Sequence, residues 1–474
     1  MEGGRKKRSV SVVNFSGNEL EIIMSKQKTY YVSGVTRSIS FRKMMLEKLY
    51  DAIQHYEKEI IEALRKDLRK HPFESYVTEI GFVLSSITHT MDHLEEWITP
   101  EKVKTPIHLQ PASSFIVKEP YGSVLVIGPF NYPFQLLLDP LVGSIAAGNC
   151  TVIKPSEDTP HTADVMKRMI TGIFTPEYVS ILQGGKEETQ LLLHAPFDYV
   201  FFTGSAAVGK IVMKACAERL TPFTLELGGK SPVVVDQTAD LKKAAEKIVW
   251  GKFLNNGQTC VAPDYVVAHI SIYDQLLDEL KRAIKKFYGK NVQKSPDYGR
   301  IINERHFQRL ANILEHDQTY IVEGGELDQD DLFIEPTILA LGNWNGASMQ
   351  EEIFGPILPL LTYENLGTVI QQINTMPKPL AAYFFTENDN AAEYFIETLP
   401  FGGGCINDTI SHVGNIHLPF GGVGPSGMNQ YHGKASFDTF SHSKSMMKKS
   451  TSVSVPIGYP PYKGKLPLVK RIIR

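Results

Sequence analysis

The chemically suggestive residues gather around the stretch Gly251-Lys252-Phe253-Leu254-Asn255-Asn256-Gly257-Gln258-Thr259-Cys260. It ends in a cysteine on a polar, glycine-containing loop, directly after the apolar spacing of an amphipathic helix over 241–253. A thiol presented at such a helix-to-loop transition is a nucleophile, because sulfur attacks well even when only a few per cent is ionised near neutral pH. Against that stands the ordinary fate of a free cysteine, burial as a small hydrophobe. A nucleophile needs a proton acceptor, and two carboxylates are candidates. Glu226, in Thr224-Leu225-Glu226-Leu227-Gly228-Gly229-Lys230, closes an apolar strand where ligands bind in open α/β sheets, and apolar surroundings raise a carboxyl pKa towards that of a useful base. An exposed turn residue is the alternative. Glu352 lies in a second acidic turn, Glu351-Glu352-Ile353-Phe354-Gly355-Pro356, whose purpose its neighbours alone do not specify.

Three further strand ends carry polar groups. In Gly128-Pro129-Phe130-Asn131-Tyr132-Pro133 the Asn131 amide can donate to a developing oxyanion, although Asn and Pro also favour plain turns. Lys154-Pro155-Ser156-Glu157 sets a cation and a carboxylate three apart, a pair suited to ribose hydroxyls or to a surface ion pair. Thr203-Gly204-Ser205-Ala206-Ala207-Val208-Gly209-Lys210 follows a strand and opens a helix, where backbone N–H groups and the helix dipole meet phosphate; a helix capped by Ser205 is the equal alternative. It is not a P-loop, since Ile211 stands where a magnesium-binding Ser or Thr belongs.

These turns need elements to position them. Apolar residues at Met45, Leu49, Ile53, Tyr56, Ile60, Leu64 and Leu68 mark a long amphipathic helix over 41–68, a second helix spans 78–97, and a hairpin follows from Pro106 to Pro120. The rhythm then becomes strand, turn, helix: strands over 123–127, 151–153, 178–182, 199–202 and 223–225, then 232–235 and 265–270, with helical sequence between them. Uninterrupted apolar strands alternating with helices argue for parallel sheets covered on both faces, and the restart after Gly229 places a boundary near residue 227 between two α/β domains.

Composition narrows the class of function. With 474 residues the chain is too long for one ordinary core, and a net charge of -3 gives no reason to expect nucleic acid. The cysteines at 150, 216, 260 and 405 lie far apart, with no metal-binding spacing, which fits free thiols in the cytoplasm. No apolar run reaches the roughly 20 residues that cross a bilayer. Residues 1–23 read as a loose extension with Met24 a natural start, and 457–474 as a basic tail with apolar interleaving, suited at most to weak contact with an anionic membrane surface.

In this order, the motifs Gly128 to Pro133, Lys154 to Glu157, Gly204 to Gly209, Glu226 to Lys230, Gly257 to Cys260, Glu351 to Pro356 and Pro419-Phe420-Gly421-Gly422-Val423-Gly424-Pro425-Ser426-Gly427 resemble the aldehyde dehydrogenases over residues 30–450. Cys260-Val261-Ala262-Pro263-Asp264-Tyr265 and Tyr431-His432-Gly433-Lys434-Ala435-Ser436-Phe437 are similar to the class 3 branch. The resemblance implies a Rossmann-like NAD(P)-binding domain (24–102 and 122–226), a catalytic domain (227–437) and a small β element (103–121 and 438–456) that bridges a homodimer. It implies oxidation of an aromatic, medium- to long-chain or lipophilic terpenoid aldehyde to its acid through a thiohemiacetal and thioester on Cys260. A cysteine-dependent esterase or acyl transferase is the alternative. By the same resemblance Asn131 and the Cys260 N–H hold the oxyanion, and Glu226 is the general base, a role Glu352 shares or takes unless it holds the nicotinamide ribose. Lys154 and Glu157 hold the adenosine ribose, Gly204, Ser205, Ala206, Ala207, Val208 and Gly209 lie against the pyrophosphate, Phe354 joins Glu352 at the cofactor, and Tyr132 lines the substrate tunnel. Glu157 would repel a 2′-phosphate, which favours NAD over NADP.

Overall fold

The computed structural model describes residues 15–453 and 458–473. The first block of apolar strands forms a six-stranded sheet from β3 (Ser123–Ile127), β4 (Cys150–Lys154), β5 (Val179–Ile181), β6 (Tyr199–Thr203), β7 (Phe223–Glu226) and β17 (Gly427–Met428), in the order β17-β7-β6-β3-β4-β5. All its pairs are parallel except β17 with β7. Four of the five parallel strands are buried along their whole length, which is why they read as continuous apolar runs. The chain then enters a seven-stranded sheet at β8 (Pro232–Val235). With β9 (Tyr265–His269), β10 (Ile321–Glu323), β13 (Thr337–Ala340), β14 (Ile357–Tyr363), β15 (Ala381–Phe385) and β16 (Gly403–Ile406) it is ordered β10-β13-β14-β9-β8-β15-β16. The excursion β11 (Leu327–Asp328) to β12 (Phe333–Ile334) is a separate two-stranded ribbon. A three-stranded antiparallel sheet joins β1 (Glu101–Val103), β2 (Ala112–Pro120) and β18 (Ser441–Lys449), with β18 at its edge and its residues beyond Ser441 exposed.

The structure departs from the sequence expectation in several places. The extension expected over 1–23 is helical from Gly17, because α1 (Gly17–Val32) starts in a capping box between Ser16 and Glu19 and buries Leu20 and Met24 in the cluster that includes Leu125 and Val212. The residues before 15 lie outside the described part. The long helix begins earlier than expected, as α2 (Ile39–Leu68), and the second helix is broken. A short α3 (Pro72–Ser75) runs into a π turn over Tyr76–Ile80 before α4 (Gly81–Ile98). Residues 427–428, expected in the second domain, pair instead with the first sheet, where the Leu227 N–H donates to the Ser426 carbonyl and β17 covers the edge of β7. Positions 454–457, at the join of the bridging segment and the tail, and 474 are outside the described residues. The tail carries a short exposed helix, Leu466–Ile472.

Candidate active site

Cys260 is delivered by a sharp turn. The helix Leu241–Phe253 ends, and Asn255 and Asn256 both take left-handed conformations (φ 50 and 54), followed by Gly257 at φ 71. Asn tolerates this region better than other side chains, and at Gly257 a Cβ would lie 2.4 Å from the Gly355 carbonyl oxygen, so only glycine fits. Gln258 is fully used inside the loop. Its Nε2 donates to the Asn255 and Arg300 carbonyls at 3.1 and 3.0 Å, and its Oε1 accepts the Ile302 N–H at 3.0 Å. Thr259 pairs through its hydroxyl with the Tyr132 hydroxyl at 2.7 Å. The loop is therefore rigid, and Cys260 emerges from it half-buried.

Asn131 lies against this loop. Its Nδ2 donates one hydrogen to the Gln258 carbonyl at 2.9 Å, which leaves the second free for another acceptor. Glu226 ends β7 with about 1% of its surface exposed, and neither carboxylate oxygen has a hydrogen-bond partner. Burial alone raises its pKa well above the usual carboxylate range. Glu352 sits on a loop held by cations. Lys230 Nζ donates to the Asp264 carboxylate (2.5 Å) and the Ser348 and Glu351 carbonyls (2.7 and 2.9 Å), and Arg309 donates to the Glu351 carboxylate at 3.1 Å and the Glu352 carbonyl at 3.4 Å. Burial, with Asp264 nearby, pushes the Glu352 carboxyl up to about 8, opposed by the Gly229 N–H and by Lys230. A Cβ on Gly228 would stand 2.2 Å from the Glu352 carboxylate, so glycine admits Glu352 to this position. Burial and then the charges of Glu352 and Glu226 raise the Cys260 thiol pKa. The resting sulfur is a thiol.

Two cavities of about 290 Å³ meet at Cys260. The first lies beyond the carboxyl ends of β3 and β6 and is lined by Asn131, Gly204, Ser205, Glu352, Phe354 and Cys260 among others. Phe354 holds a left-handed backbone (φ 48), strained for a bulky residue, and packs edge-on against Phe130 with ring centres 5.8 Å apart. The helix Ala206–Arg219 opens onto this side, capped by Ser205, with Ala206, Ala207 and Val208 exposed on its first turn and Gly209 packed against Leu227. Lys154 and Glu157 do not line the cavity. They sit at the end of the adjacent β4, where buried Lys154 Nζ donates to the Pro155 carbonyl at 2.9 Å and to the half-exposed Glu157 carboxylate at 3.3 Å. A cleft at the strand ends, an open helix N-terminus and glycines where side chains would intrude fit a dinucleotide.

The second cavity is apolar. Phe82, Tyr132, Trp250, Phe420 and Tyr431 line it, and Val77 and Trp250, both well exposed, mark its mouth. Of these only Tyr132 was expected in the tunnel: Phe420 and Tyr431 stand in motifs that carry the resemblance but had no role assigned, and Phe82 and Trp250 stand in none. His306 and Arg309 of the first cavity were also missed. His306 packs on Phe130 at 4.9 Å, and burial holds its imidazole down at about 4.

The model of the aldehyde dehydrogenase family matches residues 16–446, so the similarity starts earlier than the motifs indicated and includes part of the expected extension. The 4,4'-diaponeurosporen-aldehyde dehydrogenase of Staphylococcus aureus is 53% identical over 96% of this chain and 100% of its own length. The dimeric NADP-preferring aldehyde dehydrogenase of Mus musculus is 44% identical over 95% of this chain and 99% of its own. A solved structure described as the substrate-bound state of Staphylococcus aureus AldH superposes with a TM-score of 0.94 at 52% identity, covering 96% of this chain and 99% of that one. Near-complete relatives of this kind do not favour the esterase alternative. The chain belongs to the aldehyde dehydrogenase family, oxidoreductases that convert an aldehyde to its carboxylic acid with NAD or NADP.

Proposed function

We propose that Cys260 is the nucleophile of this reaction and that its substrates are lipophilic aldehydes, aromatic or medium- to long-chain. The observation that carries this is the position of Cys260 at the meeting point of a polar cleft and an aromatic tunnel. The aldehyde enters by the tunnel with its chain against Phe82, Trp250 and Phe420 and its carbonyl at the sulfur. As the thiol attacks, a neighbouring carboxylate accepts its proton, and the free N–H of Asn131 and the Cys260 N–H stabilise the oxyanion of the thiohemiacetal. A nicotinamide, when bound in the cleft, would supply the hydride acceptor that lets the carbon become a thioester on Cys260. Glu226, whose carboxyl is pushed by burial towards its protonated form, takes part as the base once water enters, activating the molecule that hydrolyses the thioester. Glu352 remains the second candidate for that role or a ligand of the nicotinamide ribose. Gly204 to Gly209 would hold the pyrophosphate, Phe354 would flank the nicotinamide, and Lys154 and Glu157 would hold the adenosine ribose.

The staphylococcal relative, named for diaponeurosporen-aldehyde, is consistent with a lipophilic terpenoid substrate, and the name of the mouse relative supports a homodimer, whose interface we assign to β1, β2 and β18. We place the protein in the cytoplasm. Among the described residues no helix is long and apolar enough to cross a membrane. The tail's exposed Tyr459, Tyr462, Leu466 and Leu468 beside Lys470 and Arg471 suit weak contact with an anionic bilayer. The test is a rate comparison over aldehydes of increasing length plus aromatic and terpenoid ones, with NAD and NADP in parallel. Catalytic efficiency should rise with chain length, and Cys260→Ala should lose about 10,000-fold or more. A variant that still reduces NAD, or a preference for short polar aldehydes, removes the proposal.

A further inference from the structure

A buried ion pair outside both cavities has no part in the chemistry described so far. α2 ends at Leu68, Arg69 takes a left-handed conformation (φ 55) and pairs outward with Asp331, and the chain thereby turns Lys70 inward. Lys70 Nζ is fully buried and donates to Glu79 Oε1 at 2.5 Å, to the Asn131 carbonyl at 2.8 Å, and stands 4.0 Å from the centre of the Tyr132 ring. Glu79 lies in the π turn Tyr76–Ile80, whose extra residue shifts the helical phase. Its other oxygen accepts the N–H groups of Phe134 and Gln135 at 2.9 and 3.0 Å, where the helix Gln135–Ala147 begins. The Asn131 carbonyl receives a second donor, Asn255 Nδ2 at 2.9 Å, from the cysteine loop.

We infer that the Lys70–Glu79 pair is a positioning device that fixes the backbone of Asn131 and so aims its free amide N–H at the reacting carbonyl oxygen. The inference rests on the reading of Asn131 as oxyanion donor. Every contact of the pair inside the site is to the segment 131–135: Lys70 holds it before the helix and Glu79 holds its first turn. With the Asn131 carbonyl fixed by Lys70 and Asn255 and one amide hydrogen taken by Gln258, the second hydrogen has a single direction. Stability is a poor reason to bury such a pair, because well-packed apolar residues often do as well. Geometry is a good one, because a displacement of about 1 Å at a reacting group lowers rates about 100-fold.

A double-mutant cycle of Lys70→Met and Asn131→Ala in the full-length enzyme tests this, with kcat, KM for aldehyde and for NAD, thermal melting, and the iodoacetamide alkylation rate of Cys260. Lys70→Met should lower kcat about 10- to 100-fold, leave both KM values within about twofold and leave alkylation unchanged. Lys70→Arg, which keeps the charge, should recover part of kcat. In the Asn131→Ala background Lys70→Met should have no further effect. A full additional loss in that background, or a loss carried by KM or by alkylation, makes the pair merely structural and overturns the inference while Asn131 keeps its role. An Asn131→Ala enzyme within about threefold of the parent removes the oxyanion reading and this inference together. If Lys70→Met does not fold, Glu79→Gln enters the same cycle with the same expectations, and failure of both to fold counts as a structural role.

Discussion

Glu226 and Glu352 both raise the Cys260 thiol pKa, yet they are built in opposite ways. Glu226 is the last residue of a strand, in register with Thr203 of β6 on one side and Gly427 of β17 on the other. Its backbone is fixed by two ladders while its carboxyl has no partner. Glu352 belongs to a loop, and its position depends on Lys230, Arg309, Asp264 and the space left by Gly228. A sheet supplies rigidity without electrostatic company. A loop needs charged company to become rigid, and that company opposes the rise in pKa. The bare carboxyl is the better reservoir for a proton, and the partnered one is the better fixed point for a ligand.

The largest effect that can break this contrast is kinetic. Glu226→Gln should lower steady-state turnover about 100-fold or more while a first-turnover burst of NADH persists, since thioester hydrolysis then limits. Glu352→Gln should lose only about tenfold, without a burst. Equal losses, or a burst in the second variant alone, would reverse the assignment.

A smaller effect lies in stability. The folded pKa of Glu226 is raised above its unfolded value near 4.5, so its contribution is fully present below about pH 4.5 and is lost as pH rises towards the folded pKa, at about 1.4 kcal/mol per unit. Glu226→Gln should therefore melt higher than the parent, by a margin that grows from pH 5 to pH 8. Glu352 has the same sign over a window of 4.5 to about 8, and its hydrogen bond and cations should make the gain of Glu352→Gln smaller. Parallel melting curves across pH for Glu226→Gln and parent would contradict the bare, buried carboxyl.

The smallest effect concerns a third carboxylate, away from the thiol. Glu157 is half-exposed beside Lys154, where one like charge near a 2′-phosphate is worth about 1 kcal/mol. Glu157→Gln should lower the KM for NADP about fivefold and leave that for NAD unchanged. An equal change in both would move the adenosine ribose elsewhere.

The residues legible in the sequence share one property: each stands at a junction between local elements. Asn131 follows β3, Gly204 follows β6, Glu226 ends β7, and Cys260 follows a helix whose bounds, Leu241–Phe253, agree with the apolar spacing. The misses have the opposite property. Phe82, Trp250 and the paired Phe420 and Tyr431 face one tunnel from three distant parts of the chain. Lys70 precedes the short helix after α2 and Glu79 lies in the π turn that follows it, and no local pattern sets either apart from other charged residues. Leu20 and Met24 sit in a helix with little periodicity of its own, held by packing on β3 and its neighbours.

The sequence by itself determined the parallel α/β architecture, the order of the strand-end turns and the presence of a cysteine on a glycine-bearing loop. Hydrophobic period and backbone preference act between residues a few positions apart, so a reader of the chain can see them. Only the tertiary structure decided that the Cys260 sulfur rests as a thiol, that Glu226 is bare and Glu352 accompanied, and that Lys70 reaches Asn131. Desolvation and Coulomb terms depend on distances through space, and Lys70 and Asn131, like Asn131 and Gln258, become neighbours only when the sheets close.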